Sequence, residues 1–417
     1  MTVADHHPPD GAAVLAERPM RVCILTREYP PYTEAKGGIG TQWTHMAPAF
    51  ARLGHDSAVV AMAPEGPSRT LDHGGAQVHL VPRPGPQRSW PLEDVLWARA
   101  GMRRVRELGP FDIVFSAEWG GDAGLYASRQ DAGALVTLLS TSLPQMRAIM
   151  PGWERSRRWR ARHALLQGPL ERRQTERSTA IIASSQAILD WARSLWRIDG
   201  PPTVVLPNAV DVERTRRLAA EGTLPAGYPG DGPVVAFSGR LESRKGVHVL
   251  VAAMARVWAE RPEAQVVLLG EDRLWEGKAM SAQLRDAAGP FADRLHVLGR
   301  QPPEHLFPAL AAADVVVLPS LWENFALAGL EIMALGKPLI VSAAGGFPEM
   351  VTDGHDGLLF PPGDAPALAE RIERLLADPE LASAYGAEAE RSARARFDVL
   401  PVAQAHLDFF ASVKAAV

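Results

Sequence analysis

Between Asp314 and Pro338 the sequence spells out one complete folding unit. Val315-Val-Val-Leu318 is an unbroken apolar run closed by Pro319 and Ser320. A short run of this kind, bounded by a turn signal, predicts a parallel strand buried on both faces. Good helix formers then fill Ala326–Leu335, and Gly336 and Pro338 end the helix at its carboxyl side. The unit is therefore strand, loop and helix. It carries two carboxylates with seven residues between them, Glu323 in the loop and Glu331 about two turns into the helix. The free N–H groups at the helix start, around Phe325, Ala326, Leu327 and Ala328, offer a place for an anion.

The same alternation recurs along the chain. Strands are predicted at 22–26, 57–61, 77–81, 112–116, 134–139, 180–183 and 203–206, with helices at 41–53, 95–108 and 185–196 among them. A second set follows at 234–238, 265–270, 295–298, 314–318, 338–341 and 357–360. Strands alternating with helices imply an α/β architecture, a parallel sheet covered on both faces, here twice in series. Residues 211–232 carry Gly222, Pro225, Gly227, Pro229 and Gly230 and read as the linker. The expected organisation is a disordered tail at 1–19, domains at 20–211 and 212–394, and a terminal helix within 395–417.

Composition narrows the function classes. A net charge of −4 gives no global attraction to nucleic acid. The single cysteine, Cys23, excludes an intramolecular disulfide and sits in an apolar run as a small core residue. No apolar stretch is long enough for a transmembrane helix or a signal peptide, so the expected compartment is the cytoplasm. A basic turn, Ser238-Gly-Arg-Leu-Glu-Ser-Arg-Lys-Gly246, follows the strand at 234–238. Arg240 and Lys245 thus flank the carboxyl end of a strand, where ligands of open α/β sheets bind. A planar fork and a point charge together suit a diphosphate, which leaves the carboxylates to accept from sugar or ribose hydroxyls.

Six pieces in this order resemble the retaining nucleotide-sugar glycosyltransferases of the GT-B fold, family four. They are Gly37-Gly-Ile-Gly40, Pro207-Asn-Ala-Val-Asp211, Gly239-Arg240 with Lys245-Gly246, Glu323 with Glu331, Ala344-Gly-Gly-Phe-Pro-Glu349 and the stretch Asp353–Asp364. The resemblance runs from about Met20 to the carboxyl terminus. It implies two Rossmann-like domains facing across a cleft, with the last helix crossing back onto the first domain. It further implies that Gly38 and Gly40 approach the donor phosphate, and that Arg240 and Lys245 hold the diphosphate. By the same resemblance Glu323 takes sugar hydroxyls, Glu331 takes the ribose, and backbone near Arg300 reads the base. Catalysis would then rest on Glu323, Arg240 and Lys245, with the nucleotide sugar as co-substrate and no further cofactor. No Asp-x-Asp pair is placed to hold a metal.

Several features stay open at this level. Glu118, at the end of the strand at 112–116, reads equally as an acceptor ligand or a local cap. Ser140 stands where family members often carry a histidine, and a hydroxyl cannot replace that group as acid or base. Segment 153–177 holds eight arginines with Trp153 and Trp159 interleaved. It reads as a solvated helix face, a peripheral contact with the inner face of the membrane, or a hold on an anionic acceptor. Two other readings of the whole chain stand beside the transferase: an epimerase or phosphorylase of the same fold, and a protein that binds a nucleotide sugar without turnover. The sugar, the base and the acceptor are not legible.

Overall fold

The short apolar runs become strands buried on both faces, and the strands assemble into two separate sheets. The computed structural model describes residues 19–416 except 31, 34–36, 64–65, 85–91, 127–132, 151–156 and 276. Residues 1–18 of the expected tail, and Trp153, lie outside the described residues.

The first half contains β1 (Arg21–Thr26), α1 (Gly38–Arg52), β2 (Asp56–Ala63), β3 (Arg69–His73), β4 (Ala76–Pro82), α2 (Glu93–Leu108) and β5 (Ile113–Ala117). It continues with β6 (Ala134–Leu139), α3 (Leu143–Ile149), α4 (Arg157–Arg162), α5 (Gly168–Glu176), β7 (Ala180–Ala183), α6 (Gln186–Leu195) and β8 (Thr203–Val205). Its sheet runs β3-β4-β2-β1-β5-β6-β7-β8, parallel except where the edge strand β3 meets β4. The second half begins with α7 (Val212–Glu221), β9 (Val234–Ser238), α8 (Val247–Glu260), β10 (Gln265–Leu269), β11 (Leu274–Trp275), β12 (Lys278–Ala279) and α9 (Met280–Ala288). Then come β13 (Leu295–Gly299), α10 (Pro303–Ala312), β14 (Val315–Leu318), α11 (Leu327–Ala334), β15 (Leu339–Ser342), α12 (Phe347–Met350) and β16 (Leu358–Phe360). The chain ends in α13 (Ala365–Ala377), α14 (Pro379–Ser392) and α15 (Val399–Ala415). The second sheet is wholly parallel, in the order β13-β10-β9-β14-β15-β16.

Two α/β sheets match the expected fold class, and every predicted strand is present within a residue or two. Two elements were not anticipated, the polar edge strand β3 and the two-residue hairpin β11–β12. The stretch read as linker also differs. Its first part folds as α7, whose Leu218 packs into the core beneath α10 and α11. Asp211 caps that helix, its carboxylate accepting from Arg214 N at 2.9 Å. Among the described residues no helix is long and apolar enough to cross a membrane.

The last helix packs on the opposite half from the elements that precede it. Val402, Leu407, Phe410 and Val413 of α15 join the core beneath α1 and β1. The Phe410 ring lies 5.2 Å from Phe115 and 5.9 Å from Phe50, both edge-on. Lys414 Nζ reaches Asp112 Oδ1 at 2.8 Å.

At the carboxyl ends of the first sheet, buried polar groups hold the loops. Arg27, directly after β1, donates from Nε to Asp122 Oδ1 at 2.8 Å and from Nη1 to Asp94 Oδ1 at 2.9 Å. Arg162 of α4 meets the other oxygen of Asp94 at 2.7 Å. Nearby, Glu171 of α5 accepts from Gly120 N at 3.0 Å and Leu143 N at 2.9 Å, which ties the loops after β5 and β6 together. Burial, partly offset by these N–H groups, pushes Glu171 up to about 8, and burial raises Glu118 to about 7.

Two predictions follow from this packing. Phe410→Ala should cost about 3–5 kcal/mol, since it opens a cavity in the first core and loosens the terminal helix. Urea denaturation followed by tryptophan fluorescence would read the loss, and a cost near zero would mean that α15 is not part of that core. The second concerns pH. A carboxyl whose folded pKa lies above its unfolded value holds its proton more tightly in the folded state. Its contribution is therefore greatest in acid and declines as pH rises from the ordinary carboxylate range to about 8. The advantage of the wild type over Glu171→Gln, which cannot ionise, should shrink across that window in thermal melts. Parallel melting profiles would contradict the buried, proton-holding carboxyl.

Candidate active site

The second sheet changes direction between β9 and β14. From β9 the chain moves outward to β10 and β13, and from β14 it moves the other way to β15 and β16. The loops after these two neighbouring strands therefore open a crevice at their carboxyl ends. The β9 loop makes one 3-10 turn, Ser243–Lys245, and enters α8 through Gly246. Gly246 has φ of +66°, and a Cβ there would stand 1.8 Å from Pro319 O. Only glycine lets the β9 loop lie on the β14 loop this closely.

That contact brings the charged groups together. Lys245 Nζ pairs with Glu323 Oε1. Arg244 Nη1 lies 3.4 Å from the same oxygen, and Ser320 Oγ donates to it at 3.0 Å. Arg244 Nη2 and Arg240 Nη2 meet Glu242 Oε1 at 3.0 and 3.3 Å. Three cations thus face two carboxylates, leaving a surplus of one positive charge. Burial alone would raise Glu323, but Lys245, Arg244 and the Ser320 hydroxyl outweigh it and hold the carboxyl below its usual range. All of these bonds fall on Oε1, and Oε2 accepts none among the described residues.

α11 starts beside this cluster, with Ala326 at its N-cap and no side chain capping it. Phe325 and Ala326 are buried, and Leu327 begins the helix. The Ala344-Gly-Gly turn lies directly behind, where a Cβ on Gly345 would stand 1.8 Å from Glu323 O. Glu331, on the second turn, has no hydrogen-bond partner among the described residues. Burial pushes it up to about 7, with Arg214 opposing. Glu331 is partly exposed, so its carboxyl is accessible to a ligand hydroxyl. Arg300 is exposed at the end of β13, with β10 between its strand and β9.

The glycine loop of the first half faces this site. A Cβ on Gly38 would lie 4.0 Å from Leu327 Cδ1, so the start of α1 looks onto the start of α11. Gly40 instead packs inward, where a Cβ would meet Pro30 Cδ at 2.6 Å. Other contacts span the crevice. The Asn324 amide bonds Thr141 Oγ1, Asn208 Nδ2 donates to Phe325 O at 2.8 Å, and Trp191 meets Trp322 edge-on at 4.4 Å. Glu349 accepts from Gln186 N at 2.7 Å and Ala187 N at 3.0 Å, capping α6 from the opposite half.

The structure brings Arg240, Lys245, Glu323, Phe325, Ala326, Leu327 and Gly38 to one place, while Glu331 lies a turn further along α11, near Arg214. It treats the acceptor-side pair differently. Glu118 is buried, and its oxygens accept from Ser140 N at 2.8 and 2.7 Å and from Ser140 Oγ at 2.9 Å. The two residues bond each other because the loops after β5 and β6 leave adjacent parallel strands, and Ser140 stays partly exposed. Arg244 and Ser320 were not singled out from the sequence. Arg244 precedes Lys245 in a basic turn whose fold decides which side chain faces Glu323. Asn208 carried a signal, as it lies in the Pro207-Asn-Ala-Val-Asp211 stretch.

Comparison with known proteins agrees with this geometry. Residues 36–214 match Glycosyltransferase Family 4, and residues 225–392 match Glycosyl transferases group 1. A glycogen synthase of Mycobacterium tuberculosis is 28% identical over 95% of this chain and 95% of its own length. An alpha-maltose-1-phosphate synthase of Mycolicibacterium smegmatis is 29% identical over 95% of this chain and 100% of its own. Among solved structures, the sucrose-phosphate synthase of Thermosynechococcus elongatus superposes with a TM-score of 0.76 at 23% identity, covering 95% of this chain and 100% of its own. Two family matches that between them span most of the sequence, on two parallel sheets set mouth to mouth, place the chain in glycosyltransferase family four, the glycosyl transferases of group 1, as a sugar transferase of the GT-B fold.

Proposed function

We propose that the chain is a retaining, metal-independent glycosyltransferase that moves a sugar from a nucleoside diphosphate to a hydroxyl of its acceptor. The observation that carries this reading is the cationic cluster of Arg240, Arg244 and Lys245, held by Glu242 and Glu323 at the uncapped start of α11. When the bond from the anomeric carbon to the diphosphate breaks, negative charge develops on the phosphate oxygens. Preorganised cations and helix amides stabilise it there without needing to reorganise. These fixed charges do the work a divalent ion would otherwise do. The acceptor oxygen attacks on the face the phosphate is leaving, and the acceptor proton passes to a phosphate oxygen. Such a step needs no side-chain base, which suits a Ser140 bonded to Glu118. Glu323 offers Oε2 to the sugar hydroxyls while Oε1 stays with Lys245. Glu331, without a donor of its own, takes the ribose hydroxyls.

The names of the relatives make glucosyl donors the first to try. A mass-spectrometric screen of nucleotide sugars against glucan, sugar-phosphate and lipid-linked acceptors tests the transfer, and proton NMR of the product reads the anomeric configuration. Retention is expected, whereas inversion would overturn the same-face step. Activity should persist in excess EDTA. Its loss with chelator, and return with Mg²⁺ or Mn²⁺, would overturn the assignment of charge stabilisation to Arg240 and Lys245.

Side-chain variants separate the roles. Lys245→Ala should weaken the donor step by about 10- to 100-fold in kcat/KM, the size of one charge-assisted contact of about 1.5–3 kcal/mol. Glu323→Gln should lower kcat without weakening nucleoside diphosphate binding, because the sugar contact matters most in the transition state. Glu331→Gln should do the reverse, because ribose is held alike before and after transfer. Steady-state kinetics beside calorimetry would show the split, and two variants with wild-type kinetics would remove both carboxylates from the site.

A further inference from the structure

The described part of the arginine-rich segment, residues 157–177, supplies no side chain to the Lys245 cluster. Instead α3, α5, the π-helical bridge His163–Gln167 and Trp196 line an open cavity of about 530 Å³ on the first half. Among the described residues its walls carry the guanidinium groups of Arg147, Arg172, Arg173 and Arg177 and one carboxylate, Glu176. Glu176 is already engaged, accepting from Arg172 Nε at 3.0 Å and from Arg197 N at 3.2 Å. The side chains of Arg173 and Arg177 have no partner among the described residues, and Arg173 Nε is buried without an acceptor.

A buried guanidinium N–H without an acceptor costs free energy, so it marks a place where an acceptor is missing. Two neighbouring guanidinium forks match the oxygens of a phosphate better than those of any neutral group. The cavity also has apolar walls at Leu143, Pro169 and Trp196, fit for the carbon skeleton of a phosphate ester. We propose that this cavity binds a phosphorylated ligand through Arg173 and Arg177, with Arg147 and Arg172 completing the cationic wall, at a site separate from the Lys245 cluster. The site stands on its own geometry and does not depend on the donor reading.

Its position gives it a route to the reaction. Leu143 opens α3 two residues beyond Thr141, which bonds Asn324 across the crevice. A ligand seated between α3 and α5 therefore bears on the loop that meets the second half. Two sources share the chemistry, a soluble phosphate ester and the headgroup of a phospholipid. For the second, Trp159 and Leu165, 42% and 73% exposed on the adjoining turns, would supply apolar anchors beside the phosphates.

The test uses the full chain with two probes. Inorganic pyrophosphate is titrated by calorimetry into the wild type, K245A and R173Q/R177Q. Sedimentation with phosphatidylglycerol vesicles, against phosphatidylcholine vesicles, is measured for the same proteins. The expected result is that K245A retains a pyrophosphate site, or a preference for phosphatidylglycerol, that R173Q/R177Q weakens by about tenfold or more. Loss confined to pyrophosphate assigns the cavity to a soluble ester, and loss that includes the vesicles assigns it to a headgroup. If R173Q/R177Q binds both probes as the wild type does, or the wild type binds neither, the proposal is overturned. R177Q alone, at an exposed position, repeats the comparison should the double variant melt early.

Discussion

The pairing of Lys245 with Glu323 joins two loops that leave adjacent strands and then travel in opposite directions. An open parallel sheet must have such a point, and there the two diverging loops leave a crevice between them. A buried pair at that point is costly to form unless it is well bonded. Here Arg244 and Ser320 complete the bonding on the same oxygen, and Gly246 and Gly345 allow the two loops to come close enough. The first sheet solves the matching problem in the same way. β1 and β5 are neighbours at its own reversal, and Arg27 after β1 is bonded to Asp122 after β5. Each half thus carries an arginine- or lysine-to-carboxylate link at its mouth, and the two mouths face each other. The difference is chemical. The first link is closed on itself by Asp94 and Arg162, whereas the second keeps a surplus cation and a free carboxylate oxygen.

Contacts between the halves divide into two kinds. Across the crevice the described residues make polar bonds and an aromatic edge, worth about 0.5–1.5 kcal/mol each and about 1.5–3 kcal/mol where the Glu349 carboxylate accepts. Behind it, α15 buries Phe410 and its neighbours in the opposite core, a contribution several times larger. The strong contact therefore fixes which halves are adjacent, and the weak ones set how the mouths meet. Asn324, Phe325 and Trp322 take part in that meeting and lie beside Glu323, so ligand binding at Glu323 is felt directly by the contacts across the crevice.

Most of this architecture was legible because parallel strands buried on both faces leave long apolar runs bounded by turn residues. β3 was not, since Arg69-Thr-Leu-Asp-His73 is an exposed edge strand with no apolar alternation. α7 was hidden for a related reason: its charged face dominates a stretch rich in glycine and proline, and Val212, Thr215 and Leu218 mark the buried side. At the site, residues within one motif could be singled out from the sequence, as with Glu323 and Glu331, whose roles came from the family resemblance. Partners far apart in the chain could not. The bond between Glu118 and Ser140 depends on which strands are neighbours, and the choice of Arg244 as a Glu323 partner depends on how one 3-10 turn is rotated.

We assign the diphosphate of the donor to the surplus charge between Arg240, Lys245 and the start of α11. A crystal structure of the chain with bound UDP or ADP tests it most directly. The two phosphates are expected within hydrogen-bond distance of Arg240, Lys245 and the amides around Leu327, with the ribose hydroxyls on Glu331. A nucleotide held elsewhere, with Lys245 still paired to Glu323 and no phosphate beside it, would contradict it.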